Sequence, residues 1–204
     1  IGVAVALASG LAWGLFNGFL IAKAKIPPLI VTLGSLGMAL GLAQIITGGV
    51  DIRDVPTELT TNIGYGNVFG TIPMISVIAL VIVVIGAVAL NYSKFGLYTL
   101  AVGSSEMAAR RVGVKVDAQL IKVYALSGTL AGLGGILSLS QFSTTAIAGQ
   151  SQTNLNVIAA VVIGGTSLFG GVGTIIGTVV GLFIPAVLQN GFVITGVQPF
   201  WQQV

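Results

Sequence analysis

"IGVAVALASGLAWGLFNGFLIAKAK", residues 1–25, runs uncharged from Ile1 to Ala22 and then places Lys23 and Lys25 two positions apart. At 1.5 Å of rise per residue, a helix needs about 20 apolar residues to cross the hydrocarbon of a bilayer. The run is long enough, and the lysines mark where water returns. Pro27 and Pro28 then restart the chain, because proline suits a first helical turn and spoils an interior. A second uncharged run extends from there to Thr47.

The same reasoning gives a third span over Ile72–Leu90, with Pro73 at its start, and a fourth over Val123–Phe142. Between the second and third, Gly48–Thr71 holds Asp51, Arg53, Asp54, Pro56 and Glu58, the composition of an aqueous loop. Residues 91–122 form a longer polar region. After the polar, uncharged stretch Ser143–Asn154, Leu155–Ile163 is too short to cross as a helix. "GGTSLFGGVG", residues 164–173, interrupts it, and Thr174–Gln189 is nearly long enough. These lengths fit either a re-entrant segment or a crossing at 155–173. The tail "GFVITGVQPFWQQV" reads as a loop leading to a further span. With no initial Met and an apolar start, the chain reads as an internal piece of a longer protein. No basic region precedes the first run, so a signal peptide is not expected.

Composition supports lipid as the main solvent. Charged residues make up 6% of the 204 positions, against about 25% in an ordinary globular domain. Mean hydropathy is +1.05. The net charge of +3 is too small and scattered for a nucleic-acid partner. Cys and His are both absent, which excludes disulfides, thiolate chemistry and imidazole metal sites. No metal, cofactor or catalytic residue is expected, and no paired carboxylates converge on an enzyme site.

Lysine and arginine orient the spans, since short cytoplasmic loops carry their excess. Lys23 and Lys25 lie on one side; two crossings later Lys94, Arg110, Arg111, Lys115 and Lys122 lie on that same side. The loop between carries only Arg53. Residues 91–122 are therefore expected in the cytoplasm and 48–71 outside. The spans also share a four-residue glycine spacing: Gly10, Gly14 and Gly18; Gly37 and Gly41; Gly128 and Gly132; Gly173, Gly177 and Gly181. Small residues so spaced let helix backbones approach closely in lipid.

Five of the thirteen charged side chains fall in "GSSEMAARRVGVKVDAQ", residues 103–119, and none follows Lys122. Glu106 and Arg110 are four apart, in the favourable order for a helical ion pair. Ser104 or Ser105 can cap a helix start and Gly113 can end it. Ser105–Val112 is thus predicted as two turns of helix, with Ala108 and Ala109 small on one side and Ala109 facing water in the isolated chain. Positive-inside charge alone would also account for a plain connector here.

"GSSEMAARRVGV" and "KVYALSGTLAGLGGIL", with "IPPLIVTLGSLGMALGLAQIITGG" and "LNVIAAVVIGGTSLFGGVGTIIGTVVGLFIPAVLQNG", resemble the permease subunit of ribose-type sugar importers of the ATP-binding-cassette class. The resemblance covers nearly the whole chain in order. It implies that Ser105, Glu106, Ala108, Ala109, Arg110 and Gly113 form a coupling helix that docks in a cleft of a cytoplasmic ATP-binding subunit. Where that family commonly carries Gly-Gly-Asn, this chain has Gly103-Ser104-Ser105. The resemblance also implies that the family's first spans and its last one are missing here.

The chain itself has no G-x-x-x-x-G-K-[ST] phosphate loop, so ATP and Mg are expected on the partner. "GGTSLFGG" reads as a break between half-helices, a feature that marks substrate sites in many transporters. It makes Thr166 and Ser167 pathway candidates. Asn17, Gln44, Gln141, Asn156, Gln189 and Asn190 join them, because a neutral sugar needs donors and acceptors rather than charge. Each could equally tie helices together. No span holds a carboxylate or a basic group, which argues against proton or sodium coupling.

The expectation is an all-α polytopic transmembrane bundle with broken or half helices and a short cytoplasmic coupling helix, a single domain over residues 1–204. Its function would be the permease of an importer carrying a ribose-like monosaccharide across a bacterial inner membrane. The partners would be the ATP-binding subunit, an extracytoplasmic sugar-binding protein, a second permease copy and the lipid bilayer. The alternative is a facilitator or channel for a neutral solute, with the charged loop only a connector. Which solute is carried is not written in the sequence.

Overall fold

A computed structural model describes residues 1–53, 55–68, 71–145 and 151–196, with the backbone alone described at Glu58, Asn62, Val68 and 151–153. Asp54, part of the Ser143–Asn154 stretch, and the tail from 197 onward lie outside the described residues.

Each uncharged run becomes a helix. α1 covers Gly2–Ala22 and α2 covers Pro28–Thr47. Pro28 occupies the first turn of α2, and Gly48 ends it at φ 66°, the left-handed conformation that glycine adopts without steric cost. The connection between α2 and the next long helix contains α3 (Thr57–Leu59), a single π turn (Thr60–Gly64) and two paired two-residue strands, β1 (Asn67–Val68) and β2 (Ile72–Pro73). α4 covers Met74–Tyr92. α5 (Lys94–Ser104) and α6 (Glu106–Arg111) fill the region read as the longer polar stretch, 91–122. α7 runs from Val116 to Phe142, α8 from Ser151 to Ile163, and α9 from Ile175 to Ile194. Helices α1, α2, α4, α7 and α9 are long and apolar enough to cross a membrane. The expected all-α polytopic bundle is what forms.

Several boundaries differ from the sequence reading; α9 runs on to Ile194 and is long enough to cross, so Gly191–Ile194 is helix where a loop was expected. α7 starts at Val116, not Val123, since Asp117 in a first helical turn favours the helix dipole and extends it into the polar region. α5 occupies part of the region read as a polar loop. Ser93 caps it, accepting from the Gly96 N–H at 3.3 Å, and a Cβ on Gly96 would strike the Leu90 backbone. Only glycine allows so tight a corner between α4 and α5.

The chain divides into two compact units, 1–84 with 107–149 and 85–106 with 150–204. In the first, α1 packs along α7. A Cβ on Gly10 would meet Gly132 Cα at 3.1 Å, one on Gly14 would meet Ala125 Cα at 3.0 Å, and one on Gly18 would meet Ile121 Cα at 3.0 Å. From the other side, Gly128 lies against Gly10 and Gly14. The glycine spacing in these two helices is one interface seen from both partners. The Ile52 N–H donates to Thr145 Oγ1 at 2.7 Å and the Thr145 N–H to the Ile52 carbonyl at 3.0 Å, fastening the loop after α2 to the residues beyond the end of α7.

In the second unit, α8 and α9 form an antiparallel hairpin. Gly164 lies against Gly177, and Gly181 against Ala160 and Gly164. Gly173 is not part of that stripe; it precedes the helix and lies against Thr166. Around Gly34, Gly37 and Gly41 a Cβ would meet nothing among the described residues, so their close-packing role finds no partner there.

Candidate coupling site

The first candidate is α6. Its six residues, EMAARR, begin with Glu106 and end with Arg110 and Arg111, acid at the positive end of the helix and base at the negative end. Gly113, at φ 86°, turns the chain back. Its N–H donates to the Arg110 carbonyl at 3.1 Å and the Val114 N–H to the Ala109 carbonyl at 3.0 Å. Gly113 therefore ends the helix as its spacing predicts. Ser105 is extended (φ −158°, ψ 108°) between α5 and α6. The helix is shorter than the two turns expected over Ser105–Val112, because Ser105 is extended and the turn at Gly113 closes the helix after Arg111.

After the reversal, Asp117 in the first turn of α7 accepts from Arg110 Nη2 at 2.5 Å. Lys23 Nζ, just past α1, lies 3.7 Å from its other oxygen. The Arg110 hydrogen bond and charge, with Lys23 and Lys25 nearby, hold the Asp117 carboxyl below the usual carboxylate range. Asp117 thus gathers the end of α1, α6 and the start of α7. The sequence reading missed it: the helical spacing rule points from Arg110 to Glu106, and only the turn at Gly113 brings Asp117 in. Its one signal was a lone acid within a basic stretch.

Ala108 is exposed, as are Met107 and Val112, whereas Ala109 is only 3% exposed. The expectation that Ala109 faces water is overturned. On so short a helix one face must turn inward, and residue 109 lies on it while residue 108 faces out.

A separate candidate, described within the second unit alone, is the turn between α8 and α9. The α8 helix has 13 residues, about 20 Å at 1.5 Å each, short of a crossing as expected. The break after it is a chain reversal. The Ser167 N–H donates to the Val172 carbonyl at 2.9 Å and the Gly170 N–H to the Ser167 carbonyl at 3.1 Å. Thr174 caps α9, accepting from the Gly177 N–H at 3.1 Å. A cavity of about 320 Å³ with a mainly apolar wall opens here; Thr99, Thr166, Ser167, Thr174 and Thr178 are among the residues that line it, with Gly103 and Gly171.

Thr166 and Ser167 are the pathway candidates that share this cavity. Asn156, Gln189 and Asn190 belong to the same unit but stand exposed on α8 and α9. Asn17, Gln44 and Gln141 belong to the first unit. Gln44 and Gln141 are exposed. Asn17 Oδ1 is buried with no hydrogen-bond partner among the described residues. Among the described residues no group of acids could hold a metal.

Long apolar helices, joined by polar segments and packed through glycine, define a multi-pass membrane protein. All 204 residues match the family described as branched-chain amino acid transport system / permease component, and the chain belongs to that family. It is 40% identical over 194 residues to the ribose import permease protein RbsC of Bacillus subtilis (strain 168), covering 92% of this chain and 58% of that protein. It is 38% identical over 210 residues to the L-arabinose transport system permease protein AraH of Escherichia coli (strain K12), covering 100% of this chain and 62% of that protein. A third relative, the autoinducer 2 import system permease protein LsrC of Yersinia enterocolitica, is 34% identical over 196 residues, covering 96% of this chain and 54% of that protein. The chain thus spans little more than half the length of these relatives. No solved structure matches. The family description names amino acids while these relatives are named for ribose, L-arabinose and autoinducer 2, so membership defines a permease and leaves the cargo open.

Proposed function

We propose that this chain is the membrane-embedded permease part of an ATP-binding-cassette importer in a bacterial inner membrane, moving a neutral sugar of the ribose kind. The observation that carries the reading is α6: a short helix with Ala108 exposed, Arg110 held by Asp117, and an abrupt end at Gly113. Such a helix suits a narrow cleft on a cytoplasmic ATP-binding subunit, which would hold the ATP and Mg. Residues 91–122 would then face the cytoplasm and 48–71 the outside, where a sugar-binding protein delivers cargo. A second copy of the permease would complete the channel, and residues 1–204 would act as one transmembrane domain. The relatives' names support a sugar, and so does the absence of charge from the spanning helices beyond the first two turns of α7, which hold Asp117 and Lys122.

Hydroxyl and amide groups would guide such a cargo, with Thr166 and Ser167 first among them because they share a cavity. The test is Ala108→Trp in the complete transporter at matched expression. Loss of ATPase co-purification or of uptake, with the permease still folded, supports docking at α6. Normal values for both would overturn it and favour a facilitator whose charged loop is only a connector.

A further inference from the structure

Gly103, next to last in α5, lies against the turn that joins α8 to α9. A Cβ on it would stand 2.8 Å from Gly171 N and 3.6 Å from Gly171 Cα. In the other direction, a Cβ on Gly171 would lie 2.9 Å from Ser104 Cα, and one on Gly170 would strike the Gly103 carbonyl. Two backbones are therefore in contact with no side chain between them. The contact lies within one compact unit, only three residues before α6 begins.

The far side of this contact is stiff. The turn is closed by its own hydrogen bonds at Ser167, with the Phe169 N–H also donating to Ser167 Oγ at 3.2 Å. Gly170 and Gly171 hold φ 90° and 80°, values that fix glycine at both positions. Behind the turn, Gly164 is seated against Gly177 and Gly181, leaving α8 and α9 no room to slide. Close-packed elements pass displacement on instead of absorbing it.

We propose that the Gly103–Gly171 contact is a latch that carries movement of the coupling segment into the α8–α9 hairpin, and with it Thr166 and Ser167. This rests on reading α6 as the coupling helix. Gly103 is in that case a positioning residue: it touches neither nucleotide nor cargo, and its task is to let the two backbones meet. A side chain at 103 would push the turn away and break the transmission while leaving α6 free to dock.

The experiment is hydrogen exchange by mass spectrometry on the complete transporter, comparing a non-hydrolysable ATP analogue with ADP. In the natural sequence, exchange in both 104–114 and 164–174 should differ between the nucleotides. Gly103→Val should keep the response in 104–114 and the co-purifying ATPase, and lose both the response in 164–174 and uptake. Should Gly103→Val fail to assemble, Gly103→Ala takes its place, since its single methyl is the smallest intrusion on Gly171 and suits a helix, and a reduced response in 164–174 is expected. A turn that responds fully in whichever variant assembles overturns the latch. So does a natural sequence that responds in 104–114 alone. Silence in both segments would instead overturn the coupling-helix reading on which the latch rests.

Discussion

The guanidinium of Arg110 donates to the carboxylate of Asp117, Nη2 to Oδ1 at 2.5 Å, across the chain reversal made by Gly113. The pair sets the direction in which α6 leaves α7, and Lys23 at 3.7 Å brings the end of α1 to the same carboxylate. Asp117→Asn removes the charge both cations face. It should loosen α6, seen as faster hydrogen exchange at residues 108–114, without affecting membrane insertion. Unchanged exchange would mean that the turn alone holds the helix.

The same carboxylate gives a pH dependence of known sign. Its pKa is lowered in the folded chain by Arg110 and the two lysines, so its stabilising effect is complete at neutral pH. That effect is lost as pH falls through the lowered value, below about 4. Thermal unfolding in detergent should separate the natural sequence from Asp117→Asn at pH 7 and pH 5. The gap should close only below about pH 4. A gap that closes near pH 6 would point to a different group.

Ala108 and Ala109 should respond oppositely to the same enlargement. Tryptophan at the buried residue 109 overpacks its site, a change that costs about 1–3 kcal/mol. It should lower the midpoint of thermal unfolding before any partner is added. Tryptophan at the exposed residue 108 should leave that midpoint alone. Equal midpoints for the two variants would contradict the burial of Ala109.

Orientation is open to direct test because the chain has no cysteine. Thr61 and Ser105 are both exposed. In intact cells a membrane-impermeant thiol reagent should label Thr61→Cys, and should reach Ser105→Cys only after the cells are opened. The reverse pattern would invert the orientation and remove α6 from the cytoplasm.

Gly177→Leu should prevent α8 and α9 from closing, because a Cβ at that position already meets the Gly164 carbonyl. Assembly should fail, seen as aggregation on detergent extraction. Gly37→Leu, whose Cβ would meet nothing among the described residues, is the control within this chain. A stable, fully active Gly177→Leu variant would remove the hairpin interface.

The spanning helices could be read from the sequence because lipid tolerates so little charge: Lys23, Asp51 and Lys94 end or separate runs whose length then does the rest. The short α8 was legible for the same reason. α5 was not, since "KFGLYTLAVGS" is neither polar enough for a loop nor long enough for a span, and its corner depends on Gly96 meeting Leu90. At the site, the end of α6 at Gly113 followed from residue type alone. The burial of Ala109 did not, because it depends on which face of a six-residue helix packs inward. The Gly103–Gly171 contact was invisible for a related reason: it joins glycines 68 positions apart by position number, and glycine carries no pattern that names its partner.

The glycines that seat α1 on α7 have one more consequence. Where backbone meets backbone there are no rotamers to rearrange and no methyl groups to slide past one another, so the two helices should behave as a single strut. Any change of shape during a transport cycle must then be taken up at the strut's ends. At one end stand Lys23, Arg110 and Asp117; at the other, the paired hydrogen bonds between Ile52 and Thr145. A lever of this kind can deliver a push arriving at the ionic end to the loop after α2, some forty ångströms away (27 residues of α7 at about 1.5 Å each), with little lost to bending on the way.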